Sequence, residues 1–555
     1  MRTGADEQGA RIAAASSRGE YVEALAELER LRQENTELKR QNLLQAEEIR
    51  LMKLWEHGRS SEKLSSEDIR QGSLFDEAEL YFAAVPTAES TEVVRITKTV
   101  YTRRKRGRKP IDPKLSRIVV TVDLPDSEKE VDEGYELVRI GEETSEQVHE
   151  VPQKYIVIRT IRPKYVVRRA NTTAADDESS TELRVAPLPP RILARSIATP
   201  SLLASVITGK FCDGLPFYRQ ERMFARHGLE ISRQDMSNWS MAVAKKLEGL
   251  EELLHKELLA SPYLHCDETF FQVMDEPGRS NSTQSYMWVT TGGVGDRHVA
   301  LYQYSRTRSS AFISTFLDSY AGFLQTDGYD GYNAIGEKEG IVHVGCWAHA
   351  RRKFVEALKI SGGDGSAGTI IAMIASLYEI ESRLRATFFG PEGNGEQDAF
   401  TKTRSADVTP VFAQIESWLA TKAVEVPPQT ALGKAISYTR DQWPRLVRYV
   451  ECPYLTPDNN EAERAIRPFT IGRKNWVLSG GPRGAFGSAT LYSFIETAKA
   501  CGHEPYYYLR YILTKLPTTE GAELSRLLPW NVDPEAFGEL TAEDARLSID
   551  SIPIA

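Results

Sequence analysis

The segment between residues 261 and 346 restricts the possible folds of this chain more than any other feature. Three stretches are predicted to be consecutive β-strands: YLHCDETFFQV, SYMWVTTG and HVALYQYS. Two further strands, FLQTDG and IVHVGCW, follow, with helices predicted over residues 309–319 and 329–338. A three-stranded meander continued by alternating helices and strands predicts a mixed sheet of the ribonuclease-H type, within a multidomain α/β protein.

Two acids lie on strands of this predicted sheet, and a third lies on a later helix. Asp267 stands among apolar strand residues, Asp327 ends the strand FLQTDG, and Glu463 follows the turn signal PDNN. The first and fourth strands of a ribonuclease-H-type sheet are adjacent, so these three acids would meet at one edge. Three clustered carboxylates suit two Mg²⁺ or Mn²⁺ ions of a phosphodiester-cleaving site. The alternative is three unrelated surface acids, with Glu268, Asp330 and Glu461 as competing neighbours.

The helix that carries Glu463 is expected over residues 458–467, and cations follow it. Acids two positions apart on a helix point about 200° apart, so Glu461 and Glu463 cannot both face the sheet. Three cations of this stretch are candidate contacts to DNA phosphates: Arg467, Arg473 and Lys474. A cluster of structural salt bridges is the alternative interpretation.

Residues 21–57 carry a heptad pattern, after a tail at residues 1–20 that is expected to be disordered. Leucines such as Leu31 and Leu38 occupy d positions, and asparagines occupy two of the a positions. Asparagine at a favours two strands in register, so this segment predicts a coiled coil that pairs two copies of the chain. A single solvated helix is the alternative, because several a and d positions are polar.

Residues 58–110 are expected to form a polar linker that ends in a basic run. The run RRKRGRK contains six cations: Arg103, Arg104, Lys105, Arg106, Arg108 and Lys109. Such a run can bind DNA phosphates even on a chain of net charge −9, because the local field decides, and a solvated linker is the alternative. Alternating stretches predict a small β-rich module over residues 111–170.

Residues 186–250 are expected to contain a helix-turn-helix that binds DNA. The first helix, within LPFYRQERMFARHG, is expected to end at Gly228, and Ser232 is expected to cap the next helix. Arg233 and Gln234, at the start of that second helix, are candidate DNA contacts. An ordinary helical hairpin is the alternative, because most such pairs do not bind DNA.

Composition restricts the compartment. The five cysteines are scattered, which argues against a disulfide framework and for a reducing cytoplasm. No stretch approaches the roughly 18 uninterrupted apolar residues of a membrane span, so no membrane partner is expected. The N-terminal residues also lack the apolar core of a signal peptide.

Several long stretches, in order, resemble the large transposase of the insertion-sequence-66 family: LHCDET, LQTDGYDGYNAI, VGCWAHARRKF, PDNNEAERAIRPFTIGRKNWVLSGG and ETAKACGHEPYYYLRYIL. The resemblance covers roughly residues 20–532. It implies a DDE transposase that cleaves at transposon ends and joins them to target DNA, with Asp267, Asp327 and Glu463 as catalytic metal ligands. The implied cofactor is Mg²⁺ or Mn²⁺. The implied partners are end DNA and target DNA, with nucleoid association when bound, and small accessory proteins of the same element.

The resemblance also divides the C-terminal part of the chain. It implies, in chain order, a first part of the catalytic core at residues 255–350, a helical insertion at 351–454, the rest of the core at 455–497 and a helical segment at 498–535. The insertion accounts for the 136 residues that separate Asp327 from Glu463. Cys346 and His349 look like the C-x-x-H element of insertion-bearing DDE enzymes. A structural or DNA-strand-positioning role is expected for them, with a satisfied core pair as the alternative.

One departure from the family pattern concerns zinc. Related proteins carry a cysteine-pair module after the basic run, whereas the first cysteine of this chain is Cys212. No zinc is therefore expected in the N-terminal half, and the module at residues 111–170 would depend on β packing or fold on DNA. Two rival functions stay open: a transposase-derived repressor that binds DNA without cutting it, and a ribonuclease-H-like nuclease that cuts without joining.

Overall fold

The structure is a computed structural model that describes a defined part of the chain. The described residues are 27–49, 52, 155–167, 182–361, 365–391 and 393–542. The tail at 1–20, the basic run at 103–109 and most of the β-rich module predicted over 111–170 lie outside them. Among the described helices, none has the length and apolar character needed to cross a membrane.

Residues 27–49 form a helix within the segment predicted to be a coiled coil. The large apolar side chains of this helix are exposed in the single chain: Leu28, Leu31, Leu38, Leu43 and Ile49. An exposed apolar stripe of this kind is what a second helix would cover in a coiled coil. The pairing itself stays a prediction.

The remaining elements are numbered in chain order. The strands of the described residues are β1 (Lys164–Val167), β2 (Glu182–Val185), β3 (Tyr263–Val273), β4 (Gln284–Gly292), β5 (Val299–Ser305), β6 (Gly322–Gln325), β7 (Ile341–Val344) and β8 (Leu478–Ser479). The helices are α1 (Pro200–Phe211), α2 (Phe217–Arg226), α3 (Arg233–Leu259), α4 (Ser310–Phe316), α5 (Asn333–Gly336), α6 (Trp347–Ser361), α7 (Gly365–Phe389), α8 (Gln397–Glu425), α9 (Ala431–Leu446), α10 (Asn460–Trp476), α11 (Pro482–Ala500) and α12 (Pro505–Lys515).

Strands β3 to β8 form one mixed sheet, in the order β5-β4-β3-β6-β7 with β8 beside β3. Strands β3, β4 and β5 are an antiparallel meander, in which Asp267 lies opposite Val289. Strand β6 joins β3 in parallel, with Leu324 opposite Leu264, and β7 joins β6 in parallel. The mixed sheet predicted from the sequence is confirmed. The pairing of β8 with β3 was not predicted, because a strand of two residues carries no periodic signal.

The sheet packs against helices that precede it in the chain and against helices that follow it. Together these elements enclose one hydrophobic core. Leu264 and Leu301 of the sheet, Leu247 of α3, Leu491 of α11 and Leu509 of α12 are all buried in this core. Full burial of a side chain of this size contributes about 1.5–3 kcal/mol. The region predicted to contain a helix-turn-helix therefore shares its core with the sheet rather than forming a separate unit.

Helices α2 and α3 have the ends that the sequence predicts. Gly228 follows α2 with a φ of 74°, a conformation that favours glycine. Ser232 caps α3, because its hydroxyl accepts a hydrogen bond of 3.1 Å from the Asp235 amide. Helix α3 runs on to Leu259, past the expected boundary at residue 250, since Leu254 and Leu258 are buried in the core. Tertiary packing decides its length.

Helices α6 to α9 lie between β7 and α10 in the chain and enclose a second hydrophobic core. Its buried residues include Trp347, Phe354, Ile374, Leu419 and Tyr449. The prediction that this region is largely helical is confirmed. These helices flank the sheet, because Tyr263 of β3 and Val344 of β7 belong to the same core.

Helix α10 extends further than its predicted range of 458–467. It passes through Pro468 and ends at Trp476. A proline inside a helix removes a backbone hydrogen bond and costs about 3 kcal/mol. Burial of Ile466 and Phe469 on either side of the proline offsets this cost.

Candidate active site

Asp267 lies in the middle of β3, half-buried between two fully buried neighbours, Cys266 and Glu268. Its Oδ1 atom accepts a hydrogen bond of 2.8 Å from the backbone amide of Glu268. Side chains alternate between the two faces of a strand, so Asp267 and Glu268 point to opposite faces. The side chains of Asp267 and Glu268 therefore lie on opposite sides of the sheet.

Asp327 lies two residues beyond the end of β6, beside β3. Its Oδ1 atom accepts a hydrogen bond of 3.0 Å from the amide of Tyr329, which fixes the carboxylate at the mouth of the turn. The next residue, Gly328, is in close contact with Tyr438 of α9. A Cβ atom at this position would lie 2.3 Å from the tyrosine hydroxyl oxygen. Glycine is therefore required for the second helical core to approach the acid.

Glu463 lies in the first turn of α10 and is 4% exposed. The residue before the helix, Asn459, is fully buried and anchors the helix start to other elements. Its side-chain Nδ2 donates to the backbone oxygen of Cys266 at 2.8 Å, and its Oδ1 accepts from His265 Nδ1 at 3.0 Å. Its backbone amide donates to the sulfur of Cys346 at 3.2 Å. These bonds hold Glu463 against β3.

The charges of Asp267, Asp327 and Glu463 act on one another. Burial, the carboxylate of Glu268 and those of Glu463 and Asp327 raise the pKa of Asp267 well above its usual range. Burial raises the pKa of Asp327, against the opposing effects of the Tyr329 amide and nearby guanidinium groups. Asp267, Asp327 and Glu463, which come from two strands and a distant helix, therefore form one acidic cluster.

The pKa of Glu463 is shifted strongly from its usual value. Burial raises the pKa of Glu463 to about 8, and the carboxylates of Asp458 and Asp327 act in the same direction. The guanidinium groups of Arg352 and Arg464 oppose the shift. Its Oε1 atom is buried and has no hydrogen-bond partner among the described residues. An unpartnered buried carboxylate oxygen in an acidic cluster suits a cation ligand.

Glu268 has partners of its own on the other face of β3. Arg308 donates to its carboxylate through Nε at 2.6 Å and also through a terminal nitrogen, and the Tyr332 hydroxyl donates to the other oxygen. Burial and the carboxylate of Asp327 raise the pKa of Glu268 to about 7, and Arg308 and Tyr332 oppose this shift. Glu268 is therefore held in an ion pair with Arg308, although its charge still acts on Asp267.

Glu461 is directed away from Glu463, as expected for acids two positions apart on a helix. Its Oε2 atom lies 3.4 Å from Nε2 of His265. Glu463, in contrast, raises the pKa of Asp267. The geometry thus separates the two candidate glutamates.

Cys346 immediately precedes α6, and His349 lies in the first turn of that helix. One ligand atom from each of Cys346, His349 and Glu463 lies within 4.8 Å of the others. Burial, with the nearby cations Arg352 and Lys353, lowers the pKa of His349 to about 3. Burial raises the pKa of the Cys346 thiol. The structure therefore joins this pair to the acidic cluster through Glu463.

The candidate phosphate contacts of α10 differ in exposure. Lys474 is exposed and Arg467 is half-buried. Arg473 is 8% exposed, and its guanidinium donates to the Thr269 hydroxyl at 3.1 Å and to the backbone oxygen of Phe270. Arg473 thus ties α10 to β3.

The candidate DNA contacts of the helix-turn-helix lie at the surface. Arg233 and Gln234 are exposed in the first turn of α3. The backbone amide of Arg233 donates to Glu221 of α2 at 3.0 Å, which holds the two helices together at this end. Their side chains are placed where a DNA strand could reach them.

Sequence analysis missed three residues that shape the site: Asn459, Arg308 and Arg352. Asn459 was interpreted as part of a turn, although a buried asparagine before an acidic helix is a sign of an anchor. Arg308 and Arg352 stand among other cations, in SRTRSS and HARRKF, and no local pattern distinguishes them. Glu268, the partner of Arg308, lies 40 residues away in the chain, and Glu463, whose pKa Arg352 lowers, lies 111 residues away.

These features define a mixed α/β protein with a buried acidic site at the junction of two parallel strands and a helix. Comparison with known families gives three matches along the chain. The family described as Transposase IS66 family matches residues 195–486, the IS66 C-terminal element matches residues 493–530, and the family described as Transposase C of IS166 homeodomain matches residues 44–120. The chain therefore belongs to the IS66 family of transposases.

Three proteins of Sinorhizobium fredii are similar to this chain over most of their length. The uncharacterized protein y4jD is 32% identical over 92% of this chain and 99% of its own length. The uncharacterized protein y4qI is 30% identical over 88% of this chain and 89% of its own. The uncharacterized protein y4hP is 26% identical over 83% of this chain and 85% of its own.

Proposed function

We propose that this chain is a DDE transposase that cleaves DNA at the ends of its element and joins the freed 3′-hydroxyl to target DNA. Asp267, Asp327 and Glu463 are its catalytic residues. The observation that carries the proposal is the convergence of these three carboxylates into one buried cluster from β3, the end of β6 and α10. Membership of a transposase family makes DNA the expected partner.

The sheet supports a ribonuclease-H-like core. The first and fourth strands of such a sheet are neighbours, and β3 and β6 are the first and fourth strands of this one. The antiparallel meander β3-β4-β5 and the parallel strands β6 and β7 agree with that arrangement. Helices α6 to α9 then correspond to the insertion that precedes the glutamate helix.

The residues present fit divalent metal ions. Mg²⁺ and Mn²⁺ prefer carboxylate oxygens, and the cluster offers three carboxylates, including the unpartnered Oε1 of Glu463. Burial and repulsion by neighbouring carboxylates raise the pKa of Asp267, and positive charge at the site would relieve that repulsion. When bound there, the ions would supply an activated attacking oxygen and would neutralise charge on the leaving oxygen.

The other residues of the site position the acids and the DNA. Arg308 keeps Glu268 paired, so Asp267 is the acid of β3 that remains to hold a metal ion. Arg352 contributes positive potential at both Asp327 and Glu463. Arg467 and Lys474 on α10 bind DNA phosphates near the cluster, while Arg473 supports the helix from within.

The N-terminal parts bind the element ends and pair the subunits. Arg233 and Gln234 contact end DNA from the first turn of α3, and the basic run at 103–109 binds phosphates. The coiled coil of residues 21–57 joins two chains, so that two element ends meet in one complex. Exposure of the leucines in the helix at 27–49 supports this pairing.

The proposal is tested with DNA that carries both ends of the element and with pre-cleaved ends in separate reactions. With Mg²⁺ or Mn²⁺, the wild-type chain is expected to nick the ends and to join pre-cleaved ends to target DNA. Asp267→Asn is expected to lose both reactions and to keep end binding and its melting temperature. Asp330→Asn, a change at a nearby exposed acid, is the matched control and is expected to keep both reactions.

The rival functions give different results in the same assay. A repressor would bind the ends and show no metal-dependent nicking with the wild-type chain. A nuclease would nick the ends and fail to join pre-cleaved ones. Normal joining by Asp267→Asn would overturn the proposed mechanism.

A further inference from the structure

Cys346, His349 and Glu463 bring a sulfur, an imidazole nitrogen and a carboxylate oxygen to one point. These atoms lie within 4.8 Å of one another. Cys346 immediately precedes α6 and His349 lies in its first turn, so their spacing of three places both on one side of the helix. Glu463 arrives from α10, more than a hundred residues later in the chain.

Two of these three groups have unused ligand atoms in a buried position. His349 Nδ1 and Glu463 Oε1 are buried and have no hydrogen-bond partner among the described residues. They lie 3.6 Å apart, which is too long for a hydrogen bond. Two ligands of a tetrahedral zinc ion, with bonds of about 2.0–2.2 Å to nitrogen and oxygen, are separated by about 3.4 Å. The observed separation is close to that of two ligands sharing an ion.

The donor set is chemically different from the three carboxylates of the acidic cluster. Sulfur and imidazole nitrogen select ions of the zinc class, whereas Mg²⁺ and Mn²⁺ prefer oxygen. The sulfur of Cys346 is also oriented, since it accepts a hydrogen bond of 3.2 Å from the Asn459 amide. Such outer hydrogen bonds are typical of built metal sites, where they fix the direction of the ligand.

We propose that Cys346, His349 and Glu463 form a binding site for a zinc-class divalent ion, next to the acidic cluster and sharing Glu463 with it. The three protein ligands leave a fourth position for water. Because Glu463 is a ligand in both sites, an ion held by Cys346 and His349 occupies the carboxylate that would otherwise complete the site of Asp267 and Asp327. Zinc-class ions therefore compete with oxygen-preferring ions for Glu463. This competition, unlike the binding itself, rests on the proposed function.

Cobalt(II) is the probe for binding, since it replaces zinc in such sites and gives a thiolate-to-metal charge-transfer band. The full-length chain is expected to develop this band with one cobalt ion bound, and zinc is expected to abolish it. Cys346→Ser and His349→Gln are expected to lose the band. Cys452→Ser, which changes another buried cysteine, is the matched control and is expected to keep it.

Two further variants separate this site from the acidic cluster. Asp267→Asn is expected to keep the cobalt band, because Asp267 is not one of the proposed ligands. Glu463→Gln is expected to weaken cobalt binding at least tenfold. Circular dichroism of each variant checks folding. If Cys346→Ser does not fold, His349→Gln, whose side chain is partly exposed, decides the test.

The competition is measured separately from binding. Zinc is expected to inhibit Mg²⁺-dependent nicking by the wild-type chain and to inhibit His349→Gln at least tenfold less strongly. Absence of the cobalt band in the wild-type chain, or an equal band in Cys346→Ser and His349→Gln, would overturn the site. A wild-type chain that gives the band and never nicks DNA would overturn the proposed function and leave the metal site standing.

Discussion

The side chain of Asn459 donates a hydrogen bond of 2.8 Å to the backbone oxygen of Cys266, a residue 193 positions earlier in the chain. This bond joins the residue before α10 to the strand that carries Asp267. It sets the distance between the two elements at the point where Glu463 and Asp267 approach each other. The acidic cluster therefore depends on a neutral residue as much as on its acids.

Asn459→Ala is expected to lower both activity and stability. The change leaves the buried oxygen of Cys266 without its side-chain donor, which costs about 1–3 kcal/mol. Loss of an outer hydrogen bond at a metal site typically lowers activity about 10–100-fold. Nicking rates and urea unfolding measure the two effects. Asn460→Ala is the control, and equal losses in both variants would contradict the role of Asn459.

The two neighbouring glutamates of α10 are expected to respond differently to the same change. Glu463→Gln should reduce nicking and joining to background, because the carboxylate that acts on Asp267 is replaced by a neutral amide. Glu461→Gln should retain most of the wild-type rate, because Glu461 lies beside His265 instead. Both rates are measured with pre-cleaved and uncleaved ends. Loss of activity in Glu461→Gln alone would reverse the assignment.

The adjacent cations Arg473 and Lys474 are expected to act through different properties. Lys474→Ala should weaken DNA binding and reduce the slope of log affinity against log salt by about 1, as loss of one phosphate contact does. Arg473→Ala should instead lower the free energy of unfolding by about 1–3 kcal/mol, because it leaves buried partners on β3 unpaired. Binding titrations at several salt concentrations and chemical unfolding distinguish the two. A larger salt effect in Arg473→Ala would contradict this division.

Replacement of the two d-position leucines is expected to separate the subunits. Leu31 and Leu38 are 52% and 53% exposed in the single chain. Each contributes about 1.5–3 kcal/mol when buried, so the double change to lysine should raise the dimer dissociation constant at least ~100-fold. Light scattering after gel filtration measures the mass. The same changes at Gln33 and Arg40, on the opposite face of the heptad, should leave the mass unchanged.

A buried arginine holds the second hydrophobic core together. Arg404 of α8 is 0% exposed and pairs with Glu381 at 3.3 Å. Its guanidinium also donates to the backbone oxygens of Leu455 at 2.9 Å and Cys452 at 2.6 Å. The segment that leads into α10 is thus tied to α8.

Arg404→Met is expected to destabilise the chain by about 1–3 kcal/mol, because Glu381 keeps only Arg385 as a partner and the buried backbone oxygens of Leu455 and Cys452 lose their donor. Arg383→Met is the control. Arg383 pairs with Asp407 at 2.6 Å, but its side chain is 61% exposed, so the loss should be about 0–1 kcal/mol. Thermal and urea unfolding measure both. Similar values for the two variants would show that burial of the ion pair does not decide its contribution.

Much of the fold could be predicted from the sequence, because strands, caps and turns are encoded by near neighbours. The stretch YLHCDETFFQV predicts β3, and the mixed sheet follows from the order of strands and helices. Ser232 caps α3 through a bond to a residue three positions away. The end of α3 and the passage of α10 through Pro468 could not be predicted, since burial in the core overrides the local signal there.

The sequence by itself determined which acids the site could contain, because Asp267, Asp327 and Glu463 each follow or interrupt a recognisable pattern. Only the tertiary structure shows that Glu268, the neighbour of Asp267, has a cation partner of its own. Arg308 pairs with Glu268 across the sheet. The tertiary structure also brings Cys346 and His349 to Glu463. The physical reason is that backbone periodicity depends on adjacent residues, whereas the partner of a buried charge depends on which elements pack together.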